Sequence, residues 1–326
     1  MEKVQFVVIA SLLLVLGCAK KENNAIYEVS ILGDKNVVVD ASDFISQLDS
    51  LELITKKDCY LSSVKDFAVS DSFLFVLDMS KRVFRFNRLN GSQDTVFSGI
   101  GHGHGEYIDP KGLSISGDSL FILDVQKQSV MVFDYNLNLI EEINMDFSVL
   151  DFAVVNNGFL FYNLDQSADK KRIVYTDRSG KYINSYLANA PMPEMLFAEK
   201  FFSNDEKGNV YFYDITSDKI YEWTEDSLSL FAQLSYGESI EGVNESESKT
   251  LSCIMYKNKI LTSFLNDRFV QTNIFDRSSR TSVSGLVNTG KMIPFLPQKV
   301  FEETLFGIFE CPFDESNPKT YLVSYK

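Results

Sequence analysis

Leu74-Phe-Val-Leu-Asp78, followed after a short gap by Val83-Phe-Arg-Phe86, is the stretch on which the fold turns. The phrase returns as Leu120-Phe-Ile-Leu-Asp124 with Val130-Met-Val-Phe133, and as Val210-Tyr-Phe-Tyr-Asp214 with Lys219-Ile-Tyr-Glu-Trp223. Each copy joins two runs of β-branched and aromatic residues, which suit a pleated, half-buried surface, through a turn opened by aspartate. Self-similarity at roughly 40–50 residues marks solenoids and propellers, and units built of strands point to a propeller.

Working outward, the chain divides from Val64 onward into units of four short strands. The first two run from Val64 to Phe97 and from Lys111 to Ile143. The third starts at Leu150-Asp-Phe-Ala-Val154, and the fourth spans Phe201 to Leu234. The fifth holds Cys253–Tyr256, Ile260–Phe264 and Val270–Phe275, and the sixth holds Thr304–Phe309 and Tyr321–Tyr325. The last unit is one strand short, while Asp49-Ser-Leu-Glu-Leu-Ile-Thr55 is one strand in excess. An all-β, six-bladed β-propeller whose last blade is completed by the N-terminal strand accounts for both and closes the ring, removing the edges that one open sheet would present. Helical periodicity is weak, and only Ser42 to Leu48 suggests a short helix.

Leu51-Glu-Leu, the Asp78 phrase and, above all, Gly99-Ile-Gly-His-Gly-His-Gly-Glu-Tyr107 resemble the bacterial six-bladed β-propeller lipoproteins related to NHL-repeat proteins. In that family a Gly-x-Gly-x-Gly-Pro-Gly-Glu-Tyr-like segment follows the first blade; here His104 replaces the proline. The resemblance implies fold and envelope location and brings no catalytic residues with it.

The first residues supply an address. Lys3, the apolar run from Val4 to Leu16 and Gly17-Cys18 read as a secretory signal, too short for a membrane span. Val15-Leu16-Gly17-Cys18 resembles a lipobox, so Cys18 is the expected lipidation site. Residues 1–17 are then a lipoprotein signal peptide, 18–36 the lipidated cysteine with a polar tether, and 37–326 the propeller. Position 19 is alanine rather than aspartate, which by resemblance to bacterial sorting rules favours the outer membrane of a Gram-negative cell. Each buried acyl CH₂ contributes about 0.8 kcal/mol to such an anchor.

The formal charge of −14 repels phosphate backbones, so nucleic acid is an unsuitable partner. Setting Cys18 aside, Cys59, Cys253 and Cys311 cannot all pair. Buried free thiols are expected, with a Cys59–Cys311 bond open to the chain if its ends meet.

In a four-stranded antiparallel blade, the turn between the second and third strands lies on the same face as the connection to the next blade. Asp78, Asp124 and Asp214 therefore share a face with the longer connections, the usual seat of binding. A site is expected on that face or at the channel mouth. The three aspartates offer oxygen ligands of the kind Ca²⁺ takes, although a turn in each blade also needs such a residue. His102 and His104, the only histidines, stand beside Glu106 and Tyr107 in a glycine-rich segment, where a metal and a simple tight turn are both readings. Pro191-Met-Pro-Glu-Met-Leu-Phe197 and Met292-Ile-Pro-Phe-Leu-Pro297 put Met195, Phe197, Met292 and Phe295 between blades, as rim contacts or as caps on the core. No nucleophile motif surrounds either histidine. The expected function is a monomeric, lipid-anchored binding or scaffold protein for another envelope protein or an extracellular glycan, without a required cofactor. The alternative is a hydrolase or lyase acting on a polysaccharide or lactone, with or without Ca²⁺ as a cofactor.

Overall fold

The computed structural model describes residues 26–34, 36–164, 171–193, 198, 200–237, 250–267, 269–311 and 319–326. Six antiparallel sheets are arranged as the blades of a propeller. Blade 1 consists of Val64–Val69, Phe73–Asp78, Val83–Asn87 and Gln93–Phe97, ordered from the axis outward. Blades 2 and 3 repeat the pattern over residues 110–144 and 149–186, and blades 4 and 5 over 202–236 and 250–288.

Blade 6 contributes only three strands of its own, Lys299–Phe301, Thr304–Cys311 and Lys319–Tyr325. Its fourth is Leu48–Glu52, paired antiparallel so that Leu48 faces Tyr325 and Glu52 faces Tyr321. The missing strand and the surplus strand are thus the same one, as expected.

Two further N-terminal strands depart from the expectation. Tyr27–Ile31 adds parallel to the outer strand of blade 4, with Val29 facing Leu234. Val38–Asp40 adds parallel to that of blade 5, with Val39 facing Val287. Residues 27–52 therefore form a belt across blades 4, 5 and 6, and the expected tether of 18–36 is cut short at its C-terminal end. Val29 and Ile31 are buried, which holds this strand on the outside of blade 4. The short helix expected from Ser42 is a single 3₁₀ turn, Ala41–Asp43, whose cap Asp40 accepts the Ser42 N–H.

The core lies between blades. Second strands such as Phe73–Asp78 and Gly158–Asn163 are apolar on both faces because each face packs on a neighbouring sheet, whereas blade 5 buries polar residues including Thr262, Gln271 and Asn273. Phe121 meets Phe159 across blades 2 and 3, and Tyr162 meets Phe212 across blades 3 and 4, both edge to face. Such pairs contribute about 0.5–1.5 kcal/mol beyond their buried area.

The innermost strands carry a repeated irregularity. In blades 1, 2, 3 and 5 the register with the second strand shifts early, leaving Lys65, Lys111, Leu150 and Leu251 as extra residues. A bulge bends its strand and re-aims the residue that follows. Those residues are Asp66, Gly112, Asp151 and Ser252, all at one level of the channel.

Removal of residues 26–52 leaves the outer edges of blades 4 and 5 bare and blade 6 with three strands. We expect the truncated chain to lose its single cooperative melting transition and to associate through the exposed edges. Calorimetry and light scattering against the full chain check this.

Candidate functional site

At the connection-face end of the channel, four charged side chains from four blades converge. Asp66 of blade 1 and Asp151 of blade 3 follow the bulges, while Lys200 lies two residues before the inner strand of blade 4 and Lys299 opens that of blade 6. Lys200 Nζ lies 2.8 Å from Asp66 Oδ2 and 3.5 Å from Asp151 Oδ1. Lys299 Nζ lies 2.9 Å from Asp66 Oδ1 and donates to the Leu113 carbonyl of blade 2 at 3.1 Å.

Backbone amides complete both carboxylates. Asp66 accepts from Phe67 N at 2.8 Å and from Leu113 N at 2.6 Å, while Asp151 accepts from Phe201 N and Phe202 N at 2.8 and 3.2 Å. Asp66 thus receives four donors, about as many as a carboxylate can take. Blade 2 carries Gly112 where blades 1 and 3 carry aspartate, and a Cβ there would stand 2.9 Å from Lys200 Nζ. The missing side chain is what makes room for the ammonium.

Burial alone would raise the Asp66 carboxyl, but the attraction of Lys200 and Lys299 outweighs it and holds the carboxyl below the usual range. Burial likewise works against the Lys200 charge, and Asp66 and Asp151 more than offset it, so its pKa is raised. For Lys299 burial prevails: Asp66 opposes it, the nearby Lys200 adds to it, and the ammonium is easier to deprotonate than usual. Asp66 is consequently a poor proton donor at neutral pH, and the cluster is suited to hydrogen bonding and charge recognition.

Beside the four side chains, a cavity of about 380 Å³ runs along the axis, lined from all six blades. Phe152, Phe202 and Phe301 supply aromatic wall, and Ser114, Ser203 and Gln298 supply polar groups. Lys200 and Lys299 form its floor. Glu206 and Glu302, in turns between first and second strands, mark its other end. The cavity therefore runs from the expected connection face to the face opposite it.

The residues singled out from sequence are not brought together. Asp78, Asp124 and Asp214 are buried, each bound to its own turn. Asp78 takes Arg82 and the Ser62 amide; Asp124 takes the amides of Gln126, Lys127, Ile108 and Asp109; Asp214 takes Thr216, Ser217 and Arg172. They stitch turns to the body of the propeller in three different blades. Among the described residues, no three His, Cys, Asp or Glu side chains form a metal-holding group.

The glycine-rich loop is folded onto blade 2. His104 Nδ1 lies 3.2 Å from Glu142 Oε2, and Gly105 N donates to the same oxygen at 2.8 Å. Lys127 donates to the carbonyls of Gly103 and Glu106. The Glu106 carboxylate curls back to accept from Gly103 N, and a Cβ on Gly101 would fall 2.0 Å from it, which explains that glycine. His102 is exposed.

Two proposed surface residues are corrected. Tyr107 is fully buried against Phe97 and donates from its hydroxyl to the Lys81 carbonyl at 2.6 Å. Phe295 is buried between Phe44 and Tyr325, with ring centroids 5.2 and 5.0 Å away, so it belongs to the closure between blades 5 and 6. Met292 is 80% exposed, as a contact residue must be. Met195, Phe197 and Cys18 lie outside the described residues. Cys59, Cys253 and Cys311 are free thiols, with Cys253 pushed up to about 12 by burial and therefore inert.

The family model described as a domain of unknown function, DUF4934, matches residues 27–321, almost the whole of the described molecule. The chain belongs to this family. The match begins with the first belt strand, so it spans the belt as well as the blades. Among solved structures, the chain is similar to a crystal structure of a “Putative exported protein” from Bacteroides fragilis NCTC 9343. The TM-score is 0.70 and the identity 14%, over 93% of this chain and 100% of that one, a likeness of fold. It is also similar to the computationally designed Ika8 protein, at a TM-score of 0.40 and 10% identity over 70% of this chain and 62% of that one, which is too loose to bear an argument. No protein of curated function matches.

Two outcomes test this assignment of residues. Asp66→Asn leaves two ammoniums short of their counter-charge, a change that costs about 3–5 kcal/mol in full burial. The quarter-exposed lysines put the expected loss near the lower end, read from urea unfolding at pH 7. Because the folded-state pKa of Asp66 is depressed below its ordinary 3.8, its contribution is present above that value and lost as pH falls through the folded one. The gap between wild type and variant should therefore close in acid below about pH 4. Phe295→Ala should cost about 3–5 kcal/mol by the same measurement, as a core residue does.

Proposed function

We propose that this is an exported, lipid-anchored protein of the cell envelope that captures an extracellular glycan in the axial cavity of its propeller. The observation that carries the reading is the cavity itself. It has the size of a small-ligand pocket, aromatic wall beside a few convergent polar groups, and walls drawn from every blade of a rigid ring. Pockets of this kind span about 300–1,000 Å³.

Export and anchoring rest on the first eighteen residues: the short apolar run, then Gly17-Cys18. The similar Bacteroides fragilis protein, described in its own right as exported, agrees with that address. Attachment to the outer membrane is the location that fits Ala19 behind the cysteine.

Capture of an envelope protein is a second reading, favoured by exposed apolar side chains on the connection face. Tyr60, Met79, Ile100 and Met292 are 76, 61, 56 and 80% exposed, and each stands in an inter-blade connection or a turn on that side. Methionine and aromatic residues at such positions adapt to a partner surface.

Palmitate labelling of cells expressing the wild-type protein and Cys18→Ser tests the anchor, with incorporation and membrane retention expected only for wild type. Capture from detergent-solubilised envelopes with wild type, Ser203→Trp and Met79→Glu/Met292→Glu separates the ligand readings. Glycan retained by wild type and by the double variant, and lost when tryptophan fills the cavity, supports the channel. A protein retained by Ser203→Trp and lost from the double variant transfers the function to the connection face.

A further inference from the structure

We infer that the axial cavity recognises an uncharged, hydroxyl-rich sugar ring and turns away acidic sugars and other anions, an assignment that rests on the channel-capture reading. The floor is charge-balanced. Its two lysines are matched by two aspartates, so an entering carboxylate or phosphate must compete with Asp66 for ammoniums already held at 2.8 and 2.9 Å. The far end of the cavity adds Glu206 and Glu302, and the chain as a whole carries −14. That field lowers the local concentration of anions before they arrive.

Cations fare no better, because the charges are not presented equally. The Asp66 and Asp151 side chains are 4 and 2% exposed, whereas those of Lys200 and Lys299 are 28 and 23% exposed and line the cavity. What a ligand meets at the floor is chiefly N–H donors, with Asp66 tucked behind them and Asp151 at the cavity's border. Each ammonium has three donors. Lys299 spends two, on Asp66 and the Leu113 carbonyl; Lys200 spends two, on Asp66 and Asp151. That leaves one donor on each, with the Lys299 ammonium also 5.5 Å over the Phe67 ring; uncharged hydroxyl and ring oxygens can accept from such donors without displacing the aspartates. Gln298 adds an amide and Ser114 and Ser203 add hydroxyls that both give and take hydrogen bonds. Phe152, Phe202 and Phe301 add apolar lining beside these polar groups.

Isothermal titration of the detergent-solubilised full chain tests this. The probes are neutral manno-, galacto- and cello-oligosaccharides and, at matched length, oligogalacturonates. Binding of at least one neutral series, at least tenfold tighter than the uronates, is expected. Lys299→Met and Ser114→Trp should each weaken it tenfold or more; the second leaves all four charges in place, so it reads the cavity even where the first disturbs folding. Uronates binding as tightly as neutral sugars would overturn the neutral-ring assignment while leaving glycan capture standing. Neutral binding undiminished in Ser114→Trp would remove the site from the channel. No binding by either series would sink the capture reading together with the inference.

Discussion

Everything near the axis depends on one carboxylate. Asp66 takes two ammoniums and two backbone amides, and through them blade 1 is bonded directly to blades 2, 4 and 6; Lys200 extends the connection to blade 3. Ion pairs this enclosed pay heavily for lost hydration, and they persist where further hydrogen bonds satisfy both partners. Here the backbone amides of three blades supply them. The arrangement also breaks the equivalence of six similar sheets, since each lysine finds its carboxylate in only one ordering of the ring.

The fold was legible because its signal repeats. A β-run ending in aspartate, copied at Asp78, Asp124 and Asp214, needs no knowledge of distant contacts, and neither does a last blade that lacks a strand. The belt was not legible to the same degree. Tyr27–Ile31 and Val38–Asp40 are short, pair in parallel, and sit in a segment whose composition resembles a tether. Only the burial of Val29 and Ile31 betrays the first of them, and that burial depends on blade 4, some two hundred residues away. Phe295 misled for a related reason. Its flanking prolines describe a loop correctly, yet a loop between blades can still send one ring into the core when Phe44 and Tyr325 wait there.

The channel site was half written in the sequence. Asp66-Phe-Ala-Val69 and Asp151-Phe-Ala-Val154 are the same four residues at the same place in two blades, a repetition that pairs them although neither aspartate was among the residues singled out above. Nothing in the spacing revealed that a bulge turns both aspartates to the axis. Nor did it announce the two lysines, which come from blades whose inner strands are only three residues long. Convergence from four blades is a property of the closed ring. This is also why a neighbour with the same fold at 14% identity supports the scaffold alone: chemistry resides in the side chains placed on it.

The belt has a consequence for time as well as shape. A chain is made from its N-terminus, so the strands at 27–52 exist long before the strands they pair with. Leu48 must wait for Tyr325, and Tyr27 for Ala232. At a synthesis rate of about 5–20 residues per second, that interval is tens of seconds. Throughout it the leading segment is an unpaired strand, and the nascent blades behind it present their edges. The clasp of blade 6 joins an early part of the chain to its last strand. A ring fastened this way cannot begin to function until its last residues have been delivered.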